Sequence, residues 1–258
     1  MKLQMLPSSI DENGGASARQ HLLTIVIDDR VAIDAGCLAF ACTDEQRRQV
    51  RDIVLTHPHL DHIASLPMFI DDLFATLIEP IRIHATREII DILERDIFNW
   101  AIYPRFSDLS NERGPVVEYV EFERGSTFET AGLKIESVPV NHKISANGYI
   151  VSDGKVSVAI TGDTSATDDI WQACRKRDGL AAVLVECAFP NGMSKLAETS
   201  HHLTPRGLKR EIAKLGDLSV PIYVICIKPM YRDKVVEQIA AERIPNLEIL
   251  EIGRVYDF

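Results

Sequence analysis

The run His57-Pro58-His59-Leu60-Asp61-His62 places three imidazoles and a carboxylate within six residues, out of only eight histidines in the 258-residue chain. These are the side chains a borderline divalent metal takes as ligands. The preceding residues, 51–56, read as a short buried strand, so the ligands fall on the loop leaving the strand's carboxyl end. In an extended segment His57 and His59 point the same way, whereas Asp61 and His62 follow where the chain turns into a helix. Two sub-clusters of this kind imply two metals. The competing reading is a set of surface histidines on a polar loop.

Four later segments end apolar, strand-like runs on polar groups. Residues 132–140 lead into Asn141-His142, and residues 156–160 lead through Thr161 and Gly162 to Asp163. A glycine there lets the backbone turn so that the carboxylate faces a site. Residues 184–186 end on Glu186, and a loop then runs to Ser200-His201-His202-Leu203-Thr204-Pro205. The fourth run, 224–227, contains Cys226 ahead of Lys228-Pro229. Each has an ordinary structural alternative: a satisfied loop histidine for His142, a turn or cap aspartate for Asp163, and a small buried hydrophobe for Cys226. His202 also suits the entrance of a helix capped by Thr204 and Pro205, and a helix N-terminus favours anions as well.

The pattern His-x-His-Leu-Asp-His-Ile-x-Ser-Leu at 57–66 resembles the signature of the metallo-β-lactamase superfamily, and more narrowly the class II 3′,5′-cyclic nucleotide phosphodiesterases. The segments around Glu186, His202-Leu203-Thr204-Pro205 and Ile227-Lys228-Pro229 are similar to that family too, as are Val31 to Gly36 and the aromatic stretch Asn99 to Phe106. More distantly, the Glu186 and His202 segments resemble ribonuclease Z. The resemblance implies an α/β fold, the four-layer αββα sandwich of the superfamily, and two divalent metal ions, zinc first, with manganese or iron as alternatives. By the same resemblance His57, His59 and His142 hold the first metal, Asp61 and His62 the second, and Asp163 bridges them. Asp61 would also orient a metal-bridging hydroxide. His202 would reach the substrate phosphate, and Glu186 would orient an imidazole. The family's last histidine is replaced here by Cys226, which either ligates the second metal as a thiolate or packs as an apolar residue.

The activity implied is hydrolysis of cyclic AMP or cyclic GMP to nucleoside 5′-monophosphates. Two alternatives are a ribonuclease Z-like or other phosphodiesterase of this fold, and a non-hydrolytic nucleotide-binding protein with one metal. A formal charge of −10 disfavours a nucleic acid partner, whereas a small anion needs only a local positive field. Five cysteines with no C-x-x-C spacing suggest reduced thiols in a cytoplasm. Residues 1–7 lack the pattern of a signal peptide, and no apolar run approaches the ~20 residues needed to cross a bilayer. A single domain over 1–258 is expected, with no linker or repeat. Relatives of this kind often form homodimers.

Apolar spacing predicts a hairpin at 21–34, a helix at 44–50, a helix over 63–78 carrying Leu66, Phe69, Ile70 and Leu73, and a strand at 81–84. It also predicts a helix over 87–98 capped by Thr86, and strands within 116–140. Beyond these come alternating strands and helices: 149–151, 156–160, 167–176, 181–185, 205–214, 220–227, 231–242 and 247–251. His84 reads as structural. The stretch 99–115 is either a surface loop anchored by its aromatics or a flap over the metals.

Overall fold

A computed structural model describes residues 1–216 and 219–258. The described residues form two compact units, the first comprising 1–17, 22–123 and 252–257, the second 18–21, 124–251 and 258.

In the first unit, β1 (Lys2–Met5), β2 (Ile25–Ile27) and β3 (Val31–Ile33) are antiparallel neighbours, and the C-terminal strand Val255–Asp257 pairs with the free side of β1. The predicted hairpin turns at Asp28 and Asp29, whose φ values of 49° and 57° are those of a primed turn matched to strand twist. Beyond α1 (Leu38–Ala41) and α2 (Asp44–Gln49), β4 (Asp52–Val54) joins β3 in parallel. Helix α2 starts on a capping box in which Thr43 and Gln46 satisfy each other's backbone N–H groups.

The predicted helix over 63–78 forms as α4 (Leu66–Leu73), preceded by the separate short α3 (Leu60–Ile63). Ser65 separates them: its backbone N–H and hydroxyl both donate to the Ala35 carbonyl, and Pro67 then restarts the helix. The end at Leu73 rather than 78 follows from Thr76, whose backbone N–H and hydroxyl both bond the Leu73 carbonyl. In α4 the expected stripe Leu66, Phe69, Ile70 and Leu73 is buried in a cluster with Val26, Ala32, Ile53 and Ile83 of the sheet. β5 (Ile81–Ala85) continues the sheet, and α5 (Arg87–Ile92) runs into a π-helical turn at Leu93–Ile97. Thr86 occupies the cap position of α5, but its side chain makes no capping bond. A short hairpin, β6 (Ser110–Asn111) and β7 (Gly114–Pro115), precedes β8 (Val117–Glu121), which closes the edge beside β5.

The second unit has its own seven-stranded sheet. β9 (Thr127–Thr130), β10 (Leu133–Pro139), β11 (Asn147–Ser152) and β12 (Ser157–Ile160) are antiparallel, whereas β13 (Leu180–Glu186), β14 (Ile222–Ile225) and β15 (Leu247–Ile249) extend it in parallel from β12. Helices α6 (Asp169–Arg175), α8 (Pro205–Ile212) and α9 (Arg232–Glu242) bury Trp171, Leu208 and Val235 against Ile150, Ala159 and Val183. Between β13 and α8 lies α7 (Ser194–Ser200). The strand expected to reach residue 227 stops at Ile225, because Cys226 takes a left-handed φ of 56° that no strand can continue.

His84 sits in a structural group as expected: its Nε2 is 2.8 Å from Asp52 Oδ1, and Arg82 grips the same carboxylate with two bonds. Phe106 anchors the 99–115 stretch among Phe74, Phe98 and Tyr103, while Trp100 remains 59% exposed. Among the described residues no helix is long and apolar enough to cross a membrane, and all five cysteines are free.

Candidate functional site

Parallel strands deliver their carboxyl ends to one edge of a sheet, where the backbone is released into loops and side chains are free for chemistry. In the first unit, Asp34 directly follows β3, and the chain leaves β4 through Leu55 and Thr56 into His57. Pro58 holds His57 extended, and His59 stands at the cap of α3 with Asp61 and His62 in its first turns. The imidazoles converge as the spacing suggested. His57 Nε2 lies 3.0 Å from His59 Nδ1, and the His57 and His62 ring centroids are 4.1 Å apart.

Asp34, to which the sequence reading gave no role of its own, organises this cluster. It is fully buried and accepts from the Thr56 backbone N–H at 2.8 Å, from the Thr56 hydroxyl at 2.7 Å, and from His62 Nδ1 at 2.6 Å. Because the Thr56 hydroxyl donates to Asp34, its oxygen accepts from His57 Nδ1 at 3.0 Å. The network thus assigns the ring protons of His57 and His62 to Nδ1 and turns both Nε2 lone pairs away from Asp34. A carboxylate behind a ligating imidazole fixes the tautomer and raises its basicity. Asp34 itself has a φ of 61°, a strained value for a residue other than glycine that its three bonds hold in place.

Gly36 is the second element that spacing alone did not flag. A Cβ there would lie 2.1 Å from the Asp61 carbonyl oxygen and 2.7 Å from the Leu23 backbone, so only glycine lets the motif loop close onto this turn. The Asp61 carbonyl in turn accepts from Leu23 N–H at 2.8 Å.

In the second unit, β10, β12 and β13 deliver His142, Asp163 and Glu186 to one edge. Gly162, with a φ of 59°, makes the turn that aims Asp163. His142 Nδ1 donates to the His201 carbonyl at 3.0 Å, which puts the ring proton on Nδ1 and the lone pair on Nε2. His201 itself is the left-handed cap of α7, and its ring bonds Asn141. Ligand atoms of His142, Asp163 and His202 lie within 4.8 Å of one another, and all three residues are buried. Cys226 stands outside that group, half-buried one residue beyond β14. Its partial exposure departs from the fully buried hydrophobe that is one alternative for Cys226.

Glu186 is fully buried and accepts four bonds, from the backbone N–H groups of Thr164, Ala188 and Leu203 and from His202 Nδ1 at 2.8 Å. Burial raises its pKa, an effect that the charge and hydrogen bond of His202 oppose and the nearby Asp163 charge reinforces. For His202 burial works against the charged ring, but the Glu186 carboxylate outweighs it and the pKa is raised. The other His202 nitrogen, Nε2, faces Asp163 Oδ2 at 3.9 Å. Thr204 caps α8 through Gly207 N–H, as the sequence suggested.

Both clusters fit a metal by their donor chemistry. His57 Nε2 and His59 Nδ1 stand 3.0 Å apart, near the ~3.4 Å at which a tetrahedral zinc holds two imidazole nitrogens at ~2.1 Å each. Nδ1 protons committed to Asp34, Thr56 and the His201 carbonyl leave lone pairs on the opposite nitrogens.

Comparison with known proteins gives the following. A family model described as "Beta-lactamase superfamily domain" matches residues 29–222. A protein of Yersinia pestis named "Probable 3',5'-cyclic-nucleotide phosphodiesterase" is 24% identical over 210 residues, covering 72% of this chain and 59% of that protein. The chain thus spans about three fifths of that relative's length. The crystal structure of unliganded yeast PDE1 superposes with a TM-score of 0.76 at 17% identity, covering 98% of each chain. The metallo-β-lactamase fold protein YhfI of Bacillus subtilis gives 0.71 at 14% identity over 99% of each. The fold class expected from the sequence is therefore the one observed.

Proposed function

The chain belongs to the β-lactamase superfamily, and on that premise we propose that it is a metal-dependent hydrolase opening 3′,5′-cyclic nucleotides to nucleoside 5′-monophosphates. The observation that carries this reading is the His202 ring, held at Nδ1 by buried Glu186 with Nε2 turned toward Asp163. The name of the Yersinia pestis relative supports the substrate class. The two units together make one hydrolase domain in this proposal, since the matched family segment runs through both.

His57, His59 and His142 are proposed to hold one divalent ion, Asp61 and His62 a second, and Asp163 both, with zinc first among the metals. Such ions supply Lewis-acid charge to phosphoryl oxygens and acidify water. The chain's own residues do the rest. Asp34 and Thr56 fix the His62 and His57 rings, so that little reorganisation is needed when a ligand arrives. Asp61, half-buried at the start of α3, orients the attacking water. Glu186 keeps His202 protonated to higher pH than a free imidazole, so that Nε2–H can donate to the departing O3′. The positive end of α8 directly after His202 favours the same developing anion. Five free thiols fit a reducing cytoplasm as the place of action.

Cysteine at position 226, where the resembling family has its last histidine, favours a second reading, a one-metal nucleotide-binding protein without turnover. A substrate panel separates the two. With zinc or manganese added, cyclic AMP, cyclic GMP and bis(p-nitrophenyl) phosphate should be cleaved and thioesters and lactones left intact. Turnover confined to thioesters or lactones would overturn the proposed activity, and nucleotide binding with one metal and no turnover would establish the second reading.

A further inference from the structure

A polar pocket opens directly beside His202, within the second unit. Its volume is about 140 Å³, and its walls include Ser165, Glu198, His202, Thr204, Gly207 and Arg210. A cavity of ~150 Å³ admits one aromatic ring, so this one matches a planar heterocycle whose remaining atoms lie outside its mouth.

Two of the lining residues are exposed and oppositely charged. Glu198 and Arg210 both line it, yet they form no ion pair with each other. Among the described residues neither side chain has a hydrogen-bond or ion-pair partner. By contrast, Glu211, Thr204 and His202 in the same lining are engaged. Glu211 accepts from Trp171 Nε1 and the Thr167 N–H and pairs with Lys214, and Thr204 is spent on capping α8. Two opposite charges are therefore left facing one cavity, one acceptor-only and the other donor-only.

A ligand that satisfies both must present donors on one edge and acceptors on another while staying flat. Guanine does so: N1–H and the N2 amino group lie side by side for a carboxylate, and O6 with N7 takes a guanidinium. Adenine matches less well, because its N6 amino group is flanked by the N1 and N7 acceptors, which a carboxylate repels. Shared contact with His202 puts the ring within one sugar of the phosphate that His202 is proposed to reach. Resting on the phosphodiesterase reading above, we infer that this pocket is the nucleobase subsite and that Glu198 and Arg210 select guanine over adenine.

The expected result is a kcat/KM for cyclic GMP ~10-fold or more above that for cyclic AMP, the discrimination that a well-made pair of base contacts supports. Glu198→Gln and Arg210→Gln should each shrink that ratio toward one. Gly207→Leu, in a helix where leucine is favoured over glycine, should fill the pocket and raise KM for both cyclic nucleotides more than for bis(p-nitrophenyl) phosphate, which has no base. Equal kcat/KM for the two nucleotides, or a preference that none of the three variants moves, would overturn the subsite while leaving phosphodiester cleavage standing. Absence of turnover on every phosphodiester would instead sink the activity. Calorimetric binding of 5′-GMP and 5′-AMP to the same proteins then decides the subsite. Tighter GMP binding that weakens in Glu198→Gln supports it, and equal or unmoved binding refutes it.

Discussion

Replacing His57, His59 or His142 by alanine is expected to remove bound metal and, with it, essentially all turnover. The motivation differs in kind for each residue. His57 is fully buried with its Nδ1 proton committed to Thr56, so its one remaining nitrogen has no use in a packed core except as an acceptor or ligand. His59 brings a second ring nitrogen to within 3.0 Å of it. His142 is fixed by the His201 carbonyl in the same manner. Truncation to alanine also removes packing, so each variant is judged on metal content per folded chain, with circular dichroism confirming that the chain is folded. Folded variants that all keep the full metal content would refute the ligand assignment.

The second large effect separates chemistry from metal binding. His202→Ala should retain its metals and lose turnover by roughly 10²- to 10⁴-fold, the range for a positioned proton donor. His202 Nδ1 is occupied by Glu186, and its Nε2 stands 3.9 Å from Asp163 rather than at bonding distance. His202 also belongs to the group with His142 and Asp163 whose ligand atoms lie within 4.8 Å of one another, so the competing outcome is specific. Loss of one metal equivalent in His202→Ala would make it a ligand and would remove its role as donor.

What the sequence revealed and what it hid have a common physical reason. The 57–62 motif was legible because its chemistry is contiguous: a strand, a proline and a short helix set the directions of four side chains without help from elsewhere. Strand ends at His142, Asp163 and Glu186 were legible because an apolar run stopping on a polar residue marks the edge of a buried sheet. Asp34 was visible only as part of a strand and turn, since its partners Thr56 and His62 lie 22 and 28 residues away and are brought to it by the parallel pairing of β3 with β4. Gly36 was hidden for the same reason, as the carbonyl that excludes a side chain there belongs to Asp61. The break at Ser65 could not be read from periodicity, because the apolar spacing continues across it while the Ala35 carbonyl interrupts the helix. Cys226 was assigned to a strand by its apolar neighbours, and only its left-handed backbone shows that the strand has already ended.

The most direct test is a titration of zinc, and separately manganese, into metal-free protein while cyclic GMP cleavage is followed by phosphorus NMR. The proposed activity predicts no cleavage without metal, a rise to a plateau near two ions per chain, and 5′-GMP as the only product. Equal cleavage by the metal-free protein, or tight metal binding with neither cyclic GMP nor cyclic AMP cleaved at any loading, would contradict it.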